Sequence, residues 1–233
     1  MSAQISSADA RPNGFGRRGF LAGVSAAGLL ALPGCASYGG FGYLDAVRRL
    51  LDYSTRNAFA RLIQPGGFWD DQLARLDLPS VLGSRGGVLA NILSSNLFRD
   101  RLQHQFNIFA EQGARRAAPI VADTVRTIGI QNAADLIRGG PSGATSFLRD
   151  AMAGSLIDAM VPALGDAMRV AGDPLVSQAI GALAGVDIGN VARSFSAQVD
   201  DAIWGQVGRE EAAIRADPRR TNDPVLIAAL KLL

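Results

Sequence analysis

The residues of this chain whose chemistry goes beyond packing are few: one cysteine, one histidine and several charged groups at close spacing. His104, the sole imidazole, falls in a helical stretch between Gln103 and Gln105, and no motif places a Ser or Cys nucleophile beside it. A catalytic triad needs nucleophile, base and orienting acid within hydrogen-bond reach, so the spacing assigns His104 no such task. Adjacent carboxylates occur at Asp70-Asp71, Asp200-Asp201 and Glu210-Glu211. Neighbours on a helix point about 100° apart, so the last two pairs cannot form one acid/base site unaided; solvated faces or salt bridges are expected. A calcium loop needs alternating oxygen ligands, which the run from Asp70 to Asp77 lacks. One Cys and one His exclude a zinc site built from those ligands and an internal disulfide, and no metal or cofactor is expected.

Two polar groups have the spacing to act together. Thr145 and Arg149 lie one helical turn apart on one face, where hydroxyl and guanidinium could address a single carboxylate. Glu210, Glu211, Arg215 and Arg220 form the second group, in which Glu211 and Arg215 have the favourable i, i+4 orientation. These charges are expected to tie the terminal helix to the domain; the alternative is that Arg149 or Arg220 binds an anionic headgroup or a peptide carboxylate. Leu148, Met152, Leu156, Met160, Leu164 and Met168 form a row that repeats every four residues. Its first reading is core, and its second is that the pliable Met152, Met160 and Met168 line a lipid-sized apolar cavity.

Helices must position all of these. Of 233 residues 48% are apolar, yet only 15 are aromatic, a composition that favours close-packed helices over a β-sandwich. No segment alternates with period two over a useful length, so the fold class is all-α, a compact domain of about seven to nine helices over 43–233. Leu44, Val47, Leu50, Leu51, Ala58, Leu62 and Ile63 mark the first amphipathic helix, which stops at Pro65-Gly66-Gly67. The segment from Phe68 to Leu82 is irregular, and a helix resumes near Gly87. A longer helix runs from Leu97 to Ala117, with Leu102, Phe106, Phe109 and Ala110 inward, and Pro119 starts a new turn. Shorter helices follow over 120–128 and 133–137, the second capped by Asn132, and Ser142 caps the next after Gly139-Gly140-Pro141. The four-residue row winds around a straight helix, so either several partners surround it or Pro162 breaks it in two. Asp150, Asp158 and Asp166 fall on the opposite, solvent side. Asp173-Pro174 begins a short helix to Ala184. The last long helix spans Asn190 to about Ala216, with Val191, Phe195, Val199, Ile203 and Val207 inward, and Asp217-Pro218 stops it. Asn222 or Asp223 then caps an apolar terminal turn.

Residues 1–34 read as a signal peptide and stand outside the fold. A polar stretch leads to Arg17-Arg18-Gly19-Phe20-Leu21, and an apolar run of 13 residues from Phe20 to Leu32 ends at Leu32-Pro33-Gly34-Cys35. At about 1.5 Å per residue that run is too short for about 30 Å of hydrocarbon, so no retained membrane helix is expected. Arg17, Arg18, Phe20 and Leu21 resemble a twin-arginine export signal, and the Gly- and Ala-rich run fits that route better than a Sec signal. Leu32 to Cys35 resembles the lipobox of bacterial lipoproteins, with Pro33 where a small residue is usual. The resemblance implies a thioether-linked diacylglycerol and an amide-linked third chain on Cys35, a tether over 35–42 and a periplasm-facing domain. Ala36 in place of Asp after the cysteine implies outer-membrane sorting. Arg11, Arg17 and Arg18 against Asp9 account for the whole net charge of +2, leaving 20 basic and 20 acidic residues beyond position 34. That balance removes the main electrostatic argument for nucleic acid or another anionic partner, and no nucleic-acid partner is expected.

The landmarks of the mature chain, in order, resemble a bacterial envelope family known as domain of unknown function 4197, typically lipoproteins of similar length. They are Asn57-Ala58, Gly67-Phe68, Leu78-Pro79 and the stretch from Ala114 to Pro119. Then come Gly139-Gly140 through Ala144-Thr145 to Phe147 and Arg149, and Glu210-Glu211, Ile214-Arg215, Asp217-Pro218 and Arg220-Thr221. The last two motifs are the specific ones. Members usually carry Asn-Arg-Ala-Ala-Glu before the Ala-Ala-Pro, where this chain reads Glu111-Gln112-Gly113-Ala114-Arg115. The resemblance implies an envelope address and a helical fold, and brings no established chemistry.

The function expected is therefore non-catalytic: a lipid-anchored binding or scaffold domain for an envelope protein or an apolar or lipid ligand. The competing class is a periplasmic hydrolase using carboxylates or His104. Cys35→Ser is expected to leave a foldable domain and to move it from the membrane to the soluble fraction. Two acyl chains of about 16 carbons bury roughly 30 methylenes, on the order of 20 kcal/mol, so membrane fractionation after a salt wash reads the change directly. Sedimentation of the variant with membranes after that wash would mean that a protein partner or an exposed apolar face holds it there, and would favour the scaffold over the ligand-binding reading. Arg17→Lys with Arg18→Lys is expected to block export.

Overall fold

The computed structural model describes residues 38–79, 95–170, 172–174, 177–179 and 188–231. Arg17, Arg18, Phe20, Leu21 and Cys35 lie outside them, as do the helix expected near Gly87 and most of the one expected after Pro174. The described residues hold seven α-helices and one short 3-10 helix, with no strand among them.

Helix α1 (Tyr38–Leu62) buries Val47, Leu50, Leu51, Ala58 and Leu62, the row expected to face inward. It starts inside the segment expected as a tether. Gly39 and Gly40 cost a helix about 0.5–1 kcal/mol each relative to Ala, too little to stop one that apolar residues hold further along. Helix α2 (Asn96–Thr127) corrects a second expectation, because it runs straight through Pro119. Ala110, Ala114, Ala117, Val121 and Val125 keep a three-to-four spacing across the proline and are all at most 4% exposed, while Pro119 faces solvent. A proline inside a helix costs about 3 kcal/mol. Burying Val121 and Val125 is worth about 1.5–3 kcal/mol each and outweighs it.

Helices α3 (Ala133–Arg138), α4 (Gly143–Met152) and α5 (Ser155–Arg169) follow. The four-residue row is divided not at Pro162, which lies inside α5, but at Ala153 and Gly154, with φ of 42° and 80°. A four-residue row drifts about 40° per step around a helix, so one straight helix could not keep six members on one core. Turning the chain after Met152 gives two rows of three, and all six side chains are at most 6% exposed. Asp150, Asp158 and Asp166 are exposed, as expected. Helix α6 (Ile188–Ala216) buries Val191, Phe195, Val199, Ile203 and Val207, and a 3-10 turn (Pro218–Thr221) leads to α7 (Pro224–Lys231). Of the two candidate caps it is Asp223 that accepts from the N–H groups of Val225 and Leu226, at 3.0 and 3.2 Å. Its other oxygen takes Arg49 of α1 at 2.8 Å. Burial alone would raise this carboxyl, but Arg49 and the two N–H groups hold it below its ordinary range.

The layers are α2 along α5, α5 along α6, and α4 along α6, with α2 also reaching α6. Where α2 meets α5, a Cβ on Gly113 would stand 3.1 Å from Leu164 Cδ2, which sets how closely the two helices approach. Phe106 sits edge-on to Phe109 at 5.6 Å and to Phe195 of α6 at 5.1 Å, joining these layers at one aromatic cluster. The irregular segment after α1 is held by one stripe of α2: Gln103, Asn107 and Glu111, four residues apart. Gln103 and Asn107 donate to the Leu76 carbonyl at 3.0 and 3.1 Å, Asn107 Oδ1 accepts from Leu76 N at 2.9 Å, and Glu111 accepts from Gly66 N at 2.8 Å. Gly67 is required there, since a Cβ would lie 2.3 Å from the Arg61 carbonyl oxygen.

Asn107 is fully buried, so Asn107→Ala leaves the N–H of Leu76 without its partner and the Leu76 carbonyl with Gln103 alone. The expected loss is about 1–3 kcal/mol of unfolding free energy, read as a lower urea midpoint at unchanged slope. An unchanged midpoint would mean that water replaces the amide.

Candidate functional site

Helix α3 ends and α4 begins within a few residues, at Gly139-Gly140-Pro141-Ser142. A helix end leaves carbonyls without partners and a helix start leaves N–H groups without partners, so this turn exposes both kinds at once. Ser142 occupies the N-cap of α4 and Asn132 that of α3, but neither side chain caps. The capping group comes from α6. Glu211 accepts from Ala144 N at 3.0 Å, from Thr145 N at 2.7 Å and from Thr145 Oγ1 at 2.6 Å. Arg215, one turn on, donates to Glu211 Oε1 at 2.8 Å and to the carbonyls of Ile137 and Leu136 at 2.6 and 2.7 Å. An anion meets the start of one helix and a cation the end of the other, each the favourable sign for that terminus. Glu211 is fully buried and Arg215 is 11% exposed.

Glu211 and Arg215 thus tie α3 and α4 to α6, whereas the terminal helix is held by Asp223 and Arg49. Glu210 points elsewhere, to Arg61 at 3.1 Å and Asn57 at 3.4 Å on α1, so the adjacent glutamates serve two interfaces. Thr145 and Arg149 do not share a carboxylate. Thr145 takes Glu211, while Arg149 bridges Asp200, at 3.0 Å, and Asp201. The reason is register: residue 145 faces 211 and residue 149 faces 200 and 201, so α4 and α6 run antiparallel and successive turns of α4 meet well-separated stretches of α6. Arg220 is exposed and makes no ion pair among the described residues.

Asp200 is 5% exposed and also accepts from Trp204 Nε1 at 2.9 Å. Burial pushes its carboxyl up and Asp201 adds to this, against the indole N–H and the Arg149 guanidinium. The same burial effect raises Glu111, opposed by Gly66 N–H and Arg115. Asp71 accepts from Leu73 N and Ala74 N at 2.8 and 3.3 Å and so caps a turn. His104 is exposed and meets the edge of Trp69 at 4.9 Å. Among the described residues no group of three or more His, Cys, Asp or Glu converges as a metal site.

Beside the clasp runs a groove of about 430 Å³ between α4 and α6. Ser142, Thr145, Ser146 and Arg149 line one wall, Asp201, Trp204 and Arg209 the other. Gly205 and Gly208 form its floor. Met152, Met160 and Met168 line neither this groove nor a second of about 420 Å³ between α1 and α2. They are 6%, 0% and 3% exposed and belong to the core of the described residues. Trp204, Gly205 and Arg209 carried no motif that could single them out; the one signal was the i, i+4 relation of Asp200 to Trp204.

A family model described as a protein of unknown function (DUF4197) matches residues 40–230. The chain belongs to that family. The matched span runs from the first turn of α1 to the last of α7, so the DUF4197 domain takes in both clasp and groove. Comparison with curated proteins and with solved structures found no match. The two most specific motifs of the DUF4197 resemblance, Gly139 to Arg149 and Glu210 to Thr221, are the two segments that Glu211 and Arg215 join.

Glu211→Gln is expected to destabilise the domain by about 3–5 kcal/mol, because it leaves Arg215 without its carboxylate and turns an amide donor toward helix N–H groups. Thermal and urea unfolding measure this. A loss below about 1 kcal/mol, the size of an exposed pair, would show that the clasp is not a structural tie.

Proposed function

We propose that this DUF4197 protein is a lipid-anchored domain of the bacterial envelope, facing the periplasm from the outer membrane, that binds a ligand or partner and performs no covalent chemistry. The observation that carries the binding part is the groove between α4 and α6, whose size falls in the range of small-ligand sites, about 300–1,000 Å³. Its rim carries both signs of charge, from Arg149, Arg209 and Asp201. The carboxylates that a hydrolase would need are engaged otherwise: Glu211 in the clasp, Asp200 and Asp201 with Arg149, and Glu210 with Arg61. Among the described residues no helix is long and apolar enough to cross a membrane, so the membrane contact in this reading is the lipid on Cys35.

Native mass spectrometry of the gently extracted full chain tests the proposal. The wild type is expected to carry a stoichiometric ligand or partner. Gly205→Leu, which puts an isobutyl group on the exposed groove floor, is expected to lose it while keeping its unfolding free energy in urea within about 1 kcal/mol. A wild type that retains nothing, or a variant that retains everything, would contradict the groove as the contact surface.

A further inference from the structure

We propose that the groove between α4 and α6 takes the C-terminal carboxylate of a short peptide, an inference that rests on the reading of that groove as the contact surface. The first observation is the guanidinium of Arg209. Its Nε donates to Gln206 Oε1 at 2.9 Å, Nη2 donates to the same oxygen, and Nη2 stands 3.7 Å from Asp71 Oδ2. Among the described residues Nη1 has no hydrogen-bond partner, and it lies 3.7 Å from where a Cβ on Gly205 would be. A guanidinium held in this way presents one free N–H edge beside Gly205, where no side chain stands in the groove. Gln206 is 3% exposed and its amide reaches Glu210 at 3.4 Å, so the group that orients Arg209 is itself anchored to the α1 interface. Such preorganisation lowers the ordering cost of binding.

The second observation is the charge at the other end. Arg149 uses Nη2 for both Asp200 and Asp201, and Asp201 remains 69% exposed on the rim. Counting Asp71, three carboxylates stand against two guanidinium groups around this groove. A dianion such as phosphate meets net repulsion there. A single carboxylate that also brings N–H donors meets complementary groups at both ends: Arg209 for the carboxylate, Asp201 for an amide or ammonium. Pro141, Trp204 and Ala212 offer the last side chain a small apolar wall. The charged residues at either end leave no uninterrupted apolar surface for a long acyl chain.

The test is an NMR titration of the full chain in detergent, followed at the Trp204 indole N–H, with the tripeptide Ala-Ala-Val as the free acid, the same tripeptide amidated at its C-terminus, palmitate and inorganic phosphate. The free acid is expected to bind and the amide at least about tenfold more weakly, the size of one charged hydrogen bond. Arg209→Gln is expected to abolish the difference between acid and amide, Arg209→Lys to restore part of it, and Gly205→Leu to block both peptides. Arg209 is a surface side chain, so its variants keep the fold and the proposal stays testable if the Gly205 variant does not. Equal binding of acid and amide, or binding of palmitate or phosphate in place of peptide, overturns the proposal. If mass spectrometry shows a retained partner that Gly205→Leu releases while no tripeptide binds, the groove stands as a contact surface and the peptide carboxylate is wrong. If neither occurs, both readings fall.

Discussion

One buried ion pair joins two helix ends that could not otherwise lie side by side. The carbonyls that end α3 and the N–H groups that start α4 face the same small volume, and each set needs a partner of opposite polarity. Arg215 supplies the donor for Leu136 and Ile137, Glu211 the acceptor for Ala144 and Thr145, and the two side chains neutralise one another across one turn of α6. Exposed ion pairs of this spacing contribute a few tenths of a kcal/mol, but a fully buried carboxylate stripped of its cation is strongly destabilising, so the pair acts as a lock. With α4 fixed in this way, Arg149 arrives over Asp200 and Asp201, about one turn of α6 before Trp204, and the wall of the groove is set.

Helix α6 does different work on each side because neighbouring residues point about 100° apart. Glu210 binds α1 through Arg61 and Asn57, Glu211 binds α4, and the apolar row from Val191 to Val207 meets α2 and α5, with Phe195 against Phe106. Two glycines then separate packing from access. A Cβ on Gly208 would stand 3.3 Å from that of Ser142, so the missing side chain lets the clasp close. One turn earlier, Gly205 faces solvent and Arg209, and its missing side chain leaves the groove open.

The inward rows of α1, α4, α5 and α6 were legible because burial repeats with the helix period, and so were the stops at Pro65-Gly66-Gly67 and Asp217-Pro218. Pro119 was misread as a boundary because the burial of Val121 and Val125 beyond it outweighs the local cost of a proline. The row divides at Ala153 and Gly154 and not at Pro162, the one break point that spacing offered, since Met160, Leu164 and Met168 hold α5 together around that proline. Spacing within α4 placed Thr145 and Arg149 on one face correctly but could not show which residues of α6 lie opposite, so their separate carboxylates were out of reach. Asn107 left no trace at all, because its partners are backbone atoms of a segment 31 residues away, which any sequence can supply. The clasp was half visible: the i, i+4 pair could be read, its targets could not.

Native-state hydrogen exchange at the amides of Ala144 and Thr145 tests the clasp most directly. First-turn amides of a helix have no carbonyl within the helix to bond and ordinarily exchange through local fraying. If Glu211 holds them, they are expected to exchange only through global unfolding, with the same protection as the core of α6. Rapid exchange at both positions in an otherwise protected domain would contradict the buried ion pair as the interaction on which the fold depends.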